Sequence, residues 1–305
     1  MTLLSTPRTT SPNRHSVLKP ALLGGVARVT RRLHPRGTDR VLRAVYDPDR
    51  RSDDHFETIV SYGDGLRMYC DTASFVEWRI LFYGHYNEGV ARLIRRHCTP
   101  GAVAVDIGAN VGCNTLLMAE GVGATGRVIA VEPHPAFFAR LRKNIELNAM
   151  QNVDAIECAV GDSEGALVLY SLDASQSLTA RATVYRDNLD VGAQLADTSE
   201  RFDVPVRTVD EIMAQTAPGR LDFIKLDAQG HEMPVLAGAR ESIATYRPHI
   251  VFKYTTEFWQ NAGFDFEAAR AYFNALDYNL FQVRSAALQP LAAIAENGDI
   301  FAVPR

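Results

Sequence analysis

The chain is poor in cysteine, with four in 305 residues. None sits in a CxxC pair or beside histidines at zinc-ligand spacing, which excludes a disulfide framework and a structural zinc site. Cys70, Cys98, Cys113 and Cys158 are therefore expected to be reduced, mostly buried small residues, and the compartment to be cytoplasmic. Long hydrophobic runs are lacking too. The longest, between Ala21 and Leu33, is broken by Gly24-Gly25 and then by Arg28, well short of the roughly 18 apolar residues that a membrane helix needs. Met1 to Asn13 has no basic start followed by an apolar core, so no secretory leader is expected. Internal repeats are absent as well.

Positive charge is scarce outside the beginning of the chain. The net charge is −4, yet residues 1–51 hold eleven Lys/Arg against three Asp/Glu. A basic arm thus precedes a body with an excess of twelve negative charges. That body opposes a broad nucleic-acid surface, which needs a basic face, and no nucleic-acid partner is expected. Leu22, Val26, Val29 and Leu33 recur at helical spacing with Arg28, Arg31 and Arg32 between them, predicting a short amphipathic helix. Two roles fit it: contact with an anionic membrane surface or a protein partner, or packing on its own domain. Met1 to His15, rich in Ser, Thr, Pro and Arg, is expected to be disordered. Residues 1–50 are read as this arm, 51–100 as an extension or cap, and 101–305 as the main domain.

Hydrophobic residues make up 47% and charged residues 22%, an ordinary globular balance. Phe56 to Tyr69 alternates around Gly63-Asp64-Gly65, predicting a hairpin. Asn87 to Cys98 has helical periodicity and ends before Pro100-Gly101. Strands and helices then alternate. Strands are expected at Ala102–Ile107, Val128–Val131, Val153–Val160, Leu221–Leu226, Ile250–Tyr254, Leu280–Val283 and Ile300–Val303. Helices are expected at Thr115–Glu120, Ala136–Asn148, Met233–Tyr246 and Phe266–Leu276. Leu167–Tyr170 and Val204–Arg207 are extra strands flanking a polar excursion. The pattern predicts an α/β fold with a doubly wound, mostly parallel seven-stranded sheet covered on both faces. Ligands of such sheets bind beyond the carboxyl ends of the strands.

The first strand ends in Asp106-Ile107-Gly108-Ala109-Asn110-Val111-Gly112. Glycines let the backbone turn and approach a ligand, and the helix that follows presents free N–H groups to an anion. A dinucleotide pyrophosphate or the carboxylate of a bound amino acid would satisfy them. This turn does not read GxGxxG, and Asp106 would repel a pyrophosphate, which disfavours a nicotinamide-dependent oxidoreductase. The same carboxylate would attract the ammonium and sulfonium of S-adenosylmethionine. Glu132 follows the second strand and can accept from both ribose hydroxyls, and Pro133 and Pro135 stiffen the next turn. Asp162, after the third strand, is a candidate acceptor for the adenine amino group, although Gly161-Asp162 is also an ordinary turn. The fourth strand ends in Asp227-Ala228-Gln229-Gly230-His231-Glu232, where polar groups gather beside the expected methyl group.

From Leu81 to Glu232 the chain resembles the FkbM family of methyltransferases. The resemblance rests on the Asp106–Gly112 turn, Val131-Glu132-Pro133-His134-Pro135, Asn144 with Asn148, Ala159-Val160-Gly161-Asp162, Thr208-Val209-Asp210 and Ile224-Lys225-Leu226-Asp227. It continues weakly through Gly238-Ala239 and Pro248. It implies a class I, Rossmann-like methyltransferase fold, S-adenosyl-L-methionine as donor and usually an oxygen acceptor, such as hydroxyls on polyketides or on glycolipid sugars. Three departures fall on the acceptor side. Gln229 replaces the family's first Glu after the strand, Tyr86-Asn87-Glu88 stands for a Tyr-Glu-Pro element, and Lys253 stands where a Glu is frequent.

The cofactor set expected is Asp106, Gly108, Ala109, Asn110, Gly112, Thr115, Glu132, Pro133, Val160, Asp162 and Asp227. Asp227, His231 or Glu232 is the expected general base for a small-molecule hydroxyl, with His231 closest to neutral in unperturbed pKa. Each has a bland alternative: a loop tether for Asp227, a surface position for His231, a helix-start carboxylate for Glu232. Lys225, inside a strand, is expected to be structural or paired with a carboxylate. No metal is expected, since no cluster of hard oxygen ligands is evident. A non-catalytic module docking through the arm and an RNA methyltransferase remain as alternatives. The Asn/Asp-Pro-Pro-aromatic motif of base-nitrogen methylation is absent after the fourth strand. The acceptor pocket is expected to be shaped by Leu172–Phe202 and Ser61–Tyr86, and the oligomeric state stays open, with a homodimer among the options.

Overall fold

The computed structural model describes residues 25–27, 29–31, 40, 42–43, 57–72, 74–172, 182–189, 199–284, 287–291 and 296–305. Met1–His15 and two residues of the amphipathic stripe, Leu22 and Leu33, lie outside this set. Residues 25–27 and 29–31 are helical. Their buried side is not the expected stripe, because Val29 is 53% exposed while Ala27 and Thr30 are buried. Arg31 turns inward instead and donates to the carbonyls of Ile80 (2.6 Å), Leu81 (2.8 Å) and Ser61 (2.9 Å). The Ile80 and Leu81 carbonyls lie near the end of a helix that offers no basic residue of its own there, so a cation from elsewhere is favourable.

The cap starts with β1 (Glu57–Tyr62) and β2 (Leu66–Asp71), an antiparallel hairpin. Two helices follow: α1 (Phe75–Tyr83), capped by Ser74, and α2 (Glu88–His97), capped by Asn87. α1 carries Trp78, Ile80 and Phe82, all fully buried, but shows little amphipathic contrast, which hides it from periodicity.

The main domain runs β3 (Val103–Ile107), α3 (Cys113–Val122), β4 (Arg127–Val131), α4 (Pro135–Leu147), β5 (Val153–Ile156), β6 (Ala159–Val160), β7 (Gly165–Leu172), β8 (Ala182–Thr183) and β9 (Ser199–Arg207). It continues with α5 (Val209–Thr216), β10 (Phe223–Leu226), α6 (Glu232–Ala237), α7 (Arg240–Tyr246), β11 (His249–Tyr254), α8 (Thr256–Asn261), α9 (Phe266–Ala275), β12 (Tyr278–Val283), β13 (Leu288–Pro290) and β14 (Gly298–Pro304). The expected alternation is present, with three corrections. The expected strand Val153–Val160 divides: β5 joins the main sheet, and β6 pairs with β9 in a separate four-stranded sheet. The expected helix Met233–Tyr246 breaks at Gly238, where a Cβ would overlap the Gly161 carbonyl. The main sheet has eight strands rather than seven, because the edge strand β13 pairs with β12. All three β13 residues are exposed, so no hydrophobic signal marked it.

Strand order in the main sheet is β13-β12-β14-β11-β10-β3-β4-β5. From β11 to β5 every pairing is parallel, while β14, β12 and β13 add on in antiparallel fashion. The chain leaves β3 toward β4 and β5 and later returns to β10 on the other side, which puts the topological switch between β3 and β10. Side chains alternate across these strands. Val103, Val105 and Ile107 face a core built with α5, α6, α7 and α9, whereas Ala104 and Phe223 face the core built with α2, α3 and the hairpin. Asp106 and Lys225 continue that second face and are register partners.

Asn144 and Asn148 of the motif pin the cap to the domain. The Asn144 side chain accepts from Tyr69 N (2.8 Å) and donates to the Val111 carbonyl (2.8 Å), tying β2 to the glycine turn. The Asn148 side chain accepts from Arg67 N and donates to the Arg67 carbonyl. Thr208-Val209-Asp210 is likewise structural: Thr208 and Glu211 form a capping box on α5, and Asp210 accepts from the N–H groups of Glu241 and Ser242 that open α7.

Candidate active site

A cleft with about 910 Å³ of empty space, part of it open to solvent, lies over the switch point. The glycine turn forms its floor. Gly108 has φ +71°, and a Cβ there would overlap the Asp227 carbonyl oxygen, so only glycine lets the tips of β3 and β10 come this close. The N–H groups of Gly108 and Ala109 both donate to the Val131 carbonyl (3.0 Å each). Asn110 holds φ +53° and turns its side-chain oxygen to Val111 N (2.8 Å). Gly112 opens α3 at φ +94°, where a Cβ would press on Leu141 at 2.7 Å. Gly108, Ala109 and Asn110 line the cleft, while Gly112 and Thr115 do not.

Glu132, 4% exposed, lines the cleft with Pro133. Its Oε2 accepts from Asn110 N (2.7 Å) and its Oε1 from His134 N (2.9 Å), so the carboxylate is aimed by backbone groups and keeps further lone pairs for a ligand. Burial pushes its pKa up to about 7, with those two N–H groups pulling the other way. Val160, Phe137 and Leu169 add an apolar wall beside it. Asp162 is elsewhere: it is exposed, accepts from the Ser163 hydroxyl and does not line the cleft, contrary to the expected adenine contact.

Asp106 is also differently placed. It is fully buried and is not among the residues that line the cleft. Its Oδ2 accepts from the Thr115 hydroxyl (2.6 Å), and its Oδ1 lies 3.6 Å from Lys225 Nζ. Its charge is answered inside the protein, and Lys225 rather than Asp106 lines the cleft. Lys225 Nζ also donates to the Gly108 carbonyl (3.0 Å). Burial alone would lower the pKa of this ammonium, but Asp106 and Asp227 outweigh it and the net direction is up, so Lys225 stays charged.

At the tip of β10, Asp227 and His231 line the cleft. Asp227 Oδ1 accepts from the Gln229 amide (2.6 Å), so the residue that departs from the family pattern braces a carboxylate. Glu232 is not placed as a base. It is 1% exposed and does not line the cleft, and its carboxylate folds back to accept from Ala228 N (2.8 Å) and Gly230 N (3.0 Å). Burial pushes its pKa up to about 8, as does the Asp227 charge. The His231 Nδ1 lies 3.1 Å from the Tyr185 hydroxyl, and burial lowers the pKa of the ring while Asp162 opposes that shift.

The described part of the polar excursion, residues 182–189, reaches this loop. Thr183 Oγ1 (3.0 Å) and Asn188 Nδ2 (2.9 Å) both donate to the Gln229 carbonyl, and Asn261 holds Asn188 from α8 (2.8 Å). Thr183 and Val184 line the cleft from this side, and Val76 and Tyr86 line it from the cap. Residues 182–189 and the stretch Val76–Tyr86 thus both supply residues to the cleft. Asn114, Phe137, Thr183 and Tyr185 carried no motif in the sequence and are assembled only by the fold. A GxGxxG spacing does occur, at Gly121–Gly126, but it links α3 to β4 at the amino end of the strand, away from the cleft. Among the described residues no helix is long and apolar enough to cross a membrane.

The sequence and the fold were compared with those of known proteins. The family model described as the Methyltransferase FkbM domain matches residues 106–280. Methyltransferase sdnD of Sordaria araneosa is 26% identical over 210 residues, covering 59% of this chain and 80% of its own length. The 31-O-demethyl-FK506 methyltransferase FkbM of Streptomyces tacrolimicus is 31% identical over 191 residues, covering 52% of this chain and 72% of its own. A crystal structure of a methyltransferase FkbM from Methylobacillus flagellatus KT aligns at a TM-score of 0.42 and 16% identity, over 67% of this chain and 44% of that one. Since the family model spans more than half of the sequence and holds the glycine turn, Glu132, Lys225 and Asp227, the chain belongs to the FkbM family of S-adenosylmethionine-dependent methyltransferases.

Proposed function

We propose that the chain transfers a methyl group from S-adenosyl-L-methionine to a hydroxyl of a small molecule. The observation that carries this reading is that one cleft joins the Gly108 turn and Glu132 to Asp227 and His231. The residues present fit the donor. Gly108 brings the tips of β3 and β10 together beneath the cleft, the Glu132 carboxylate suits two ribose hydroxyls, and Val160, Phe137 and Leu169 suit a flat apolar base. Ala109, Asn110 and Pro133 complete that cradle. The bound donor supplies a methyl already activated on a sulfonium, so the protein's task is to position and to manage one proton. The oxygen acceptor is supported by the name of the Streptomyces tacrolimicus relative, which places its methyl on an oxygen.

In this reading Tyr86, Val76 and Val184 hold the acceptor against the loop after β10. With Nδ1 of His231 engaged by Tyr185, Nε2 is the ring nitrogen that receives the hydroxyl proton as the new C–O bond forms. Asp227 lines the same cleft and is the other candidate base. His231→Ala is expected to lower turnover by about 10²–10⁴-fold while adenosylhomocysteine affinity by calorimetry changes less than about twofold. Full turnover in both His231→Ala and Asp227→Asn would remove the base assignment.

A further inference from the structure

The Asp106–Lys225 pair changes what the cleft offers a cofactor. The amino-acid end of S-adenosylmethionine carries a carboxylate as well as its ammonium. Asp106 is neutralised by Lys225 and does not line the cleft, so it does not answer that ammonium. Asp227 does line it and suits the ammonium of the ligand, while Glu132 is held for the ribose. A cation is then needed for the carboxylate, and among the described residues Lys225 is the single Lys or Arg lining the cleft. An ammonium has three N–H bonds. The Gly108 carbonyl takes one at 3.0 Å, and Asp106 Oδ1 stands 3.6 Å away, beyond hydrogen-bond reach, so N–H bonds of Lys225 remain for a ligand in the cleft it lines.

Two further groups stand beside it. Asn114 lines the cleft, is 9% exposed, and no hydrogen bond joins its amide to another described residue. It sits in the first turn of the ten-residue helix α3, whose first helical bond runs from Leu116 N to the Gly112 carbonyl. The N–H groups before Leu116 have no intrahelical acceptor, as at any helix start.

We propose that Lys225, the Asn114 amide and the opening N–H groups of α3 form the seat of the cofactor's α-carboxylate, with Asp106 and Thr115 serving to position Lys225. This assignment rests on the reading that the cleft takes S-adenosylmethionine. It explains why a lysine stands inside an otherwise apolar strand: the tip of β10 needs a fixed cation facing the tip of β3. It also gives Asp106 a role, since a buried lysine without a partner carries a large desolvation cost.

The test compares two ligands that differ only at the carboxylate: adenosylhomocysteine and its decarboxylated analogue, S-adenosyl-3-thiopropylamine. Calorimetry on the full chain should give the intact protein at least tenfold tighter binding of adenosylhomocysteine. Lys225→Met should remove that preference by weakening adenosylhomocysteine alone, and Asn114→Ala should reduce it in the same direction. If Lys225→Met fails to fold because Asp106 is left uncompensated, the Asp106→Asn/Lys225→Met double variant restores neutrality and is measured instead. Equal affinity of the intact protein for both ligands, or equal loss of both in the variants, overturns the carboxylate seat and leaves the cofactor reading intact. Uptake of neither ligand by the intact protein overturns both.

Discussion

At the scale of single residues, Glu132 shows how burial and function pull against each other. Its carboxylate is buried, which raises its pKa to about 7, yet a ribose asks it to accept hydrogen bonds as an anion. A raised carboxyl pKa contributes stability that is complete below the ordinary value of 4.5 and is lost as pH rises through about 7. Ligand binding runs the other way, since hydroxyl donors favour the ionised form. Adenosylhomocysteine affinity is therefore expected to fall by about tenfold per pH unit below pH 7. Calorimetry from pH 5 to 8 checks this, and Glu132→Gln should flatten the profile while weakening binding throughout. Glu232 makes the complementary point. Its place at the start of α6 allowed either a base or a structural carboxylate, and its two bonds to the Ala228 and Gly230 amides give it the structural role.

At the scale of elements, two short polar clamps set the cleft walls. Asn144 joins the cap hairpin to the glycine turn through bonds to Tyr69 and Val111. Asn144→Ala leaves a buried donor and acceptor unpaired and is expected to cost about 1–3 kcal/mol per group, read as a lowered denaturation midpoint. Asn188 joins residues 182–189 to the loop that carries His231. Asn188→Ala should raise the acceptor KM severalfold while adenosylhomocysteine affinity stays within about twofold, because the donor cradle lies on β3 and β4. An equal loss of donor affinity would show that the excursion supports the whole cleft rather than its acceptor wall. The elements that periodicity missed, α1 and β13, share a cause. α1 is apolar around most of its circumference, and β13 is exposed throughout, so neither displays a contrast between faces.

At the scale of the molecule, acid stability follows from where histidines are packed. His97 at the end of α2 lies 4.0 Å, centroid to centroid, from His249 at the start of β11, and both rings contact Phe301. Burial lowers the His97 pKa to about 4, and the positive charges of His249 and Arg96 act in the same direction. A lowered histidine pKa contributes stability that is present above pH 6.5 and is lost as pH falls through about 4. Buried His134, also near 4, adds to that slope. The unfolding free energy from denaturant titrations should drop between pH 6.5 and 4. His97→Phe, which keeps the stacking on Phe223 and the tilted contact with Phe301, should make that drop shallower. These rings lie at the amino ends of β10 and β11, away from the cleft, so donor affinity should not change.

The sequence by itself determined the alternating strands and helices, the position of the glycine turn and the identity of Glu132 as a group at a strand tip. Hydrophobic period, glycine and a carboxylate at a strand end are local signals, and local chemistry fixes them. The tertiary structure decided which polar groups face the cleft. Asp106 and Asp162 bore the local marks of cofactor contacts, yet one is consumed by Lys225 and Thr115 and the other is turned to solvent. Lys225 and Asp106 are separated by more than a hundred residues and meet because β10 returns beside β3 in register. Tyr185 and Asn188 reach His231 and Gln229 by the same kind of long-range closure. Which charge is left to meet a ligand depends on how neighbouring strands pair, and no single stretch of chain carries that information.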